Sequence, residues 1–93
     1  MIESEKLLER KLSVEVKRAG GWSIKLLPFI IKGLPDRMVL FPKGRIAFVE
    51  MKTTGEKAKP HQELIGRKLQ KLGFRWEVID TTEKIKDFIK DYE

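Results

Sequence analysis

Two runs with the composition of β-strands, Asp36–Phe41 and Ile46–Lys52, flank the tripeptide Pro42-Lys43-Gly44. No other feature constrains this chain's fold as strongly. The tripeptide fits a three-residue hairpin loop, in which proline presets the φ of a type I turn and glycine takes the left-handed position of the following bulge. A loop of that length pairs Phe41 with Arg45. Counting outward one residue at a time, it pairs Asp36 with Glu50. Residues directly opposite in an antiparallel pair share a face, and alternation puts Lys52 on that face as well. The parity is strict: a loop of two or four residues would turn Asp36 to the other side.

The remaining elements follow from periodicity. Residues 4–19 read as a helix, with Ser4 as N-cap, Glu5 at the positive end and Gly20-Gly21 as the stop. Leu8, Leu12, Val16 and Ala19 fall on one face. Glu5 lies inside that apolar stripe and Glu9 at its edge, which is costly for a carboxylate unless something pairs with it. Residues 22–27 have strand composition. Residues 59–72 form an amphipathic helix with Ile65, Leu69 and Leu72 inward, followed by a strand over 74–79. Asp80 with Glu83 resembles a capping box and opens a last helix carrying Ile85, Phe88, Ile89 and Tyr92 on one face. The order α-β-β-β-α-β-α predicts an α/β fold with a mixed four-stranded sheet, the last strand arriving by a helical crossover.

Composition narrows the function. The chain has 93 residues, the size of one domain spanning 1–93, and its lack of cysteine excludes disulfides and thiolate zinc sites. The apolar runs fall short of the roughly 18 residues a membrane span needs, and Met1–Lys11 lacks the apolar core of a signal peptide. A soluble, cytoplasmic protein is expected. The net charge of +6, from 20 Lys+Arg against 14 Asp+Glu, favours a polyanionic partner, nucleic acid being the commonest.

Two carboxylates facing one another repel unless a cation lies between them. A hard divalent ion accepts such oxygen ligands together with water and substrate phosphate. Lys52 beside them could position the attacking water or stabilise charge on the phosphate. Glu5 is a candidate to close the cluster. The plainer alternative makes Glu50 and Lys52 solvated charges at a fraying strand end and Asp36 a turn residue. Gln62 stands at the edge of its helix's apolar stripe. His61, the single histidine, suits a phosphate contact better than a zinc site. Lys25, Lys32, Arg37, Lys43, Arg45, Lys57 and Lys59 surround the proposed site. They read either as a phosphate-tracking surface, with Lys25 and Lys57–Lys59 favoured, or as solvated edges that discourage aggregation. Trp22 and Trp76 head strands and are expected in the core or an interface. Leu7, Val14 and Phe29-Ile30-Ile31 form apolar surface suited to a dimer contact.

Pro35-Asp36 followed by Glu50-Met51-Lys52 at the end of the next strand resembles the PD-(D/E)xK nuclease signature. Glu5 with Glu9, Gly20-Gly21, Lys25, Gly33-Leu34-Pro35-Asp36-Arg37, Phe48-Val49-Glu50-Met51-Lys52 and Gln62 narrow it. In that order they are similar to the VRR-NUC (virus-type replication-repair nuclease) family, from Glu5 to about Ile79. The resemblance implies a restriction-endonuclease-like core and a Mg²⁺- or Mn²⁺-dependent endodeoxyribonuclease. Asp36, Glu50 and the Met51 carbonyl would ligate the metal. Lys52 would be the catalytic lysine, and Glu5 (or Glu9) the helical glutamate supporting the metal. Gln62 would contact Lys52 or the scissile phosphate, with Lys25, Arg37, Lys57, Lys59 and His61 along the nucleic acid. Stand-alone members act in bacterial or phage-infected cells as homodimers similar to Holliday-junction resolvases, making four-way DNA junctions the expected substrate. The alternatives are a nuclease preferring flap, nicked or duplex DNA, and a non-catalytic basic module.

Overall fold

The computed structural model describes residues 1–27 and 29–93. Pro28, the first residue of the proline-punctuated stretch before Asp36, lies outside the described residues. The elements run α1 (Glu5–Arg18), β1 (Trp22–Lys25), β2 (Arg37–Phe41), a 3₁₀ turn (Pro42–Gly44), β3 (Arg45–Met51), α2 (Pro60–Lys71), β4 (Arg75–Ile79) and α3 (Thr82–Lys90). This is the expected α/β order, with element ends shifted by one or two residues. The sheet order is β1-β2-β3-β4, the first three antiparallel and β4 parallel to β3.

The hairpin keeps the register that the loop length dictates, Phe41 opposite Arg45 through Arg37 opposite Val49. Its turn departs in one respect. Both Lys43 and Gly44 have a φ of 70°, so a lysine shares the left-handed conformation expected of glycine alone. Pro42, Lys43 and Gly44 are all exposed, so the lysine side chain stands in water.

Strand alternation divides the sheet into two unlike faces. Val39, Ala47, Val49 and Met51 are fully buried on one face, and Ile79 nearly so. They pack against Leu8, Leu12 and Val16 of α1 and Ile85, Phe88 and Ile89 of α3. Each such side chain larger than Ala47 contributes roughly 1.5–3 kcal/mol when taken out of water, so this face holds most of the fold's driving force. Phe41 continues it toward the end of α3, where its ring stacks on Tyr92 at 3.8 Å between centroids.

The opposite face carries Met38, Leu40, Ile46, Phe48, Glu50, Trp76 and Val78, and α2 packs against it at β4 and Glu50. Here the helix lies directly on the indole of Trp76. A Cβ added to Gly66 would sit 2.2 Å from that ring, so the residue must be glycine for α2 to approach so closely. Only Gly66 of α2 is buried, with Ile65 and Leu69 half-covered. Leu72, expected inward, is 74% exposed because it caps the helix rather than continuing its apolar stripe.

Ser4 accepts from the Leu7 amide at 3.1 Å, as its position suggests. At α3 the cap is Thr81, accepting from Lys84 N–H at 3.1 Å, not Asp80. The Asp80 carboxylate is drawn away to the Gly55 amide (2.9 Å) and the Lys84 ammonium (2.7 Å).

Candidate active site

Asp36 immediately precedes β2, and its carbonyl accepts the Leu26 N–H at 2.8 Å, which ties its backbone to the end of β1. The β2–β3 ladder ends at Arg37–Val49. Just beyond it the Asp36 carboxylate takes the Met51 amide at 2.6 Å, standing in for the next backbone acceptor. This contact fixes Asp36 against the strand that carries Glu50.

Glu50 is 2% exposed and Lys52 7%. The alternative of solvated charges at a fraying end is therefore excluded for both. One Glu50 oxygen accepts from the Gln62 amide at 3.1 Å and lies 3.9 Å from the Lys52 ammonium. The other oxygen, Oε1, is buried without a hydrogen-bond partner among the described residues. Burial, then the neighbouring Asp36 charge and a hydrogen bond that the protonated Glu50 carboxyl can make to Asp36, pushes the Glu50 carboxyl up to about 8, against the partial offset of Lys52. A buried carboxylate so poorly compensated is costly, and such groups concentrate where chemistry is done.

Glu5 is exposed, not buried in the apolar stripe. The first turn of α1 lies beyond the end of β3, where the Glu5 amide donates to Thr53 Oγ1 at 3.2 Å. Partial desolvation and the Asp36 charge raise its carboxyl above the usual range, while Lys52 lowers it. Glu9 is engaged elsewhere, 3.1 Å from the Lys25 ammonium and 3.5 Å from Arg37 Nε. The same Glu9 leaves the Arg37 side chain 16% exposed and Lys25 55% exposed. Lys57 and Lys59 stand exposed on the segment entering α2, and His61 is half-buried in its first turn. Gln62 reaches Glu50 rather than Lys52. Its Oε1 also accepts the Lys59 amide at 2.8 Å, so the residue that caps α2 also holds Glu50.

Periodicity and spacing did not reveal what anchors the segment after Lys52. Thr54 N–H donates to the Glu3 carbonyl at 3.0 Å, and Glu3 N–H returns a bond to Thr54 Oγ1 at 2.8 Å. The same hydroxyl donates to the Asp80 carbonyl at 2.8 Å. Glu3 and Thr54 are 51 residues apart, and no local pattern announces such a contact.

The described residues contain no cluster of three or more His, Cys, Asp or Glu able to hold a metal ion. Asp36 and Glu50 alone supply two hard oxygen donors, and the unpartnered Oε1 is a ready ligand. Such a set suits a cation that keeps most of its waters, as Mg²⁺ does, and does not suit zinc.

A mixed sheet whose hairpin ends in Pro-Asp opposite Glu-x-Lys, flanked by helices, defines a PD-(D/E)xK nuclease domain. No family model matches the chain. It is 38% identical over 79 residues to "Putative nuclease p44" of Acyrthosiphon pisum secondary endosymbiont phage 1, covering 85% of each protein. A solved structure described as a VRR_NUC domain shares its fold with a TM-score of 0.82 and 28% identity, over 98% of this chain and 100% of the other. The chain belongs to the VRR-NUC family.

Proposed function

We propose that the chain hydrolyses phosphodiester bonds of DNA at the Asp36–Glu50–Lys52 cluster, with Mg²⁺ or Mn²⁺ as cofactor. The observation that carries this is Glu50: a buried carboxylate with one oxygen unpartnered, facing Asp36 beside a buried lysine. A purely structural role would not leave that combination uncompensated.

Asp36, Glu50 and the Met51 carbonyl would hold the cation, with Glu5 closing the outer side through its waters. When bound, it would supply charge stabilisation on the phosphoryl group and a lowered pKa for the attacking water. The chain's own groups do the rest. Gln62 fixes the Glu50 oxygen that also faces Lys52. The Lys52 ammonium, held in a site nearly closed to solvent, would orient the water or donate to a nonbridging phosphate oxygen, where a preformed positive charge acts most strongly. Lys25, Lys57, Lys59 and His61 would track the backbone.

The substrate we favour is branched DNA, a four-way junction first. One small domain offers a single site, whereas two copies related by a two-fold axis would match the symmetry of a junction. The groove between α1 and α3 lined by Leu7, Val14 and Ile85 gives a second copy an apolar surface. The test uses end-labelled junction, flap, nicked and linear duplex DNA with Mg²⁺, Mn²⁺ or EDTA, and Lys52→Ala in parallel. Paired nicks in the junction, lost with EDTA and with the variant, support both chemistry and substrate. Cutting of other forms alone keeps the chemistry and removes the junction. No metal-dependent cutting leaves a DNA-binding module.

A further inference from the structure

Between β1 and β2 the chain makes an apolar excursion. Phe29 is 81% exposed, Ile30 68% and Ile31 52%, with Leu27 at 47%. Single apolar side chains on a surface need no explanation, but a contiguous group marks something that covers it.

Both feet of the excursion are pinned at the active site. At one foot, Leu26 N–H donates to the carbonyl of Asp36. At the other, Gly33, with a φ of 91°, lies so close to α2 that an added Cβ would stand 2.4 Å from the His61 carbonyl oxygen. The next residue of α2, Gln62, holds Glu50. The apolar tip is therefore rooted at both ends on segments that carry site residues, Asp36 on one side and the first turn of α2 on the other.

The rim is basic. Lys32 adjoins the tip, and Lys57 and Lys59 lead into the helix on which Gly33 rests, all three exposed. Two copies of this chain meeting through the tip would bring like charges together beside their active sites. A phosphate backbone would instead neutralise them. Continuous duplex buries its base faces by stacking. They become available to an apolar side chain at a branch, nick or end, where wedging residues unstack a step.

Resting on the nuclease reading above, we propose that Phe29, Ile30 and Ile31 form a wedge that lodges against base faces exposed at an interruption in duplex DNA. It thereby selects the phosphodiester presented to Asp36 and Glu50. The apolar groove on α1 is left for self-association.

The test places 2-aminopurine beside a nick and at the same position in continuous duplex, and titrates the full chain in EDTA. Emission is expected to rise with nicked DNA only. Phe29→Ser, Ile30→Ser and Ile31→Ser together should abolish the rise and lower affinity for nicked relative to continuous duplex by about tenfold, the size of one lost stacking contact. Phe29→Trp with Ile31→Leu should retain both, and thermal melts confirm that each variant is folded. No emission rise, or equal loss of affinity for the two duplexes, overturns the wedge. Unchanged emission, with a dimer turned to monomer in sedimentation, assigns the tip to a second copy. Cleavage with Mg²⁺ is scored separately: intact cutting without the emission change sinks the wedge alone, and the reverse sinks the nuclease reading alone.

Discussion

The face of the sheet beneath α1 and α3 excludes water from Val39, Ala47, Val49 and Met51, and its inward-held charge, Arg37, is paired with Glu9 of α1. The face beneath α2 buries Glu50 and Lys52 and leaves most of its apolar residues half-covered. One set of strands thus serves two purposes. Two helices and a dry core stabilise one side. That stability lets the other side keep a carboxylate in an environment that opposes its charge.

Removing the buried charge should separate the two faces most sharply. Glu50→Gln is expected to lower kcat/KM for DNA cleavage by at least ~10³-fold, the scale on which single electrostatic groups act. It should not lower the melting temperature of the metal-free protein, and at pH 8 should raise it. The sign follows from the Glu50 carboxyl, which is raised from 4.5 to about 8 in the folded chain. Between those pH values the folded state binds more protons than the unfolded one, so stability declines as pH rises through that window. Glu50→Gln should flatten the decline, as should added Mg²⁺, and a pH series of thermal melts without metal reads it directly. An unchanged slope would mean that Glu50 is compensated by something else.

The converse change strikes the dry face. Leu12→Ala should cost about 3–4 kcal/mol and roughly 15–25 °C in melting temperature. Cleavage by the remaining folded protein, assayed well below the new midpoint, should stay within a few-fold of wild type. A loss of activity as deep as that of Glu50→Gln would show that the faces are not separable.

The smallest effect tests the join between them. Gly66→Ala forces a methyl into the Trp76 indole and should cost about 1–3 kcal/mol by overpacking. Because α2 also carries Gln62, its displacement should reduce kcat more than the stability loss explains, measured by chemical denaturation beside single-turnover cleavage. Loss of stability alone would make α2 a passive cover.

These contrasts also explain what the sequence disclosed. The hairpin register was legible because a tripeptide loop and a two-residue alternation are local rules, and they brought Asp36, Glu50 and Lys52 to one site. Where α1 begins relative to the end of β3 is not local. Glu5 and Glu9 are one helical turn apart and equally plausible from spacing, and only docking shows that Glu9 faces Lys25 and Arg37. Asp80 has every local mark of a cap. It lost that role to Thr81 through a contact with Gly55, 25 residues away. Gly66 carried a signal that was readable in principle, since glycine inside a helix costs about 1 kcal/mol and usually has a packing reason.

The turn at Pro42–Gly44 bears on the order in which the molecule assembles. A hairpin closed by so short a loop can zip from Phe41–Arg45 outward early in folding, at little entropic cost. Asp36 and Glu50 lie at the far end of that zipper. The cost of burying Glu50 beside Asp36 therefore opposes only the last rung, after the strands have gained their apolar contacts. The acidic pair is expected to meet late, as α1 and α2 dock over it. Substitutions there should then alter the unfolding rate and leave the folding rate almost unchanged.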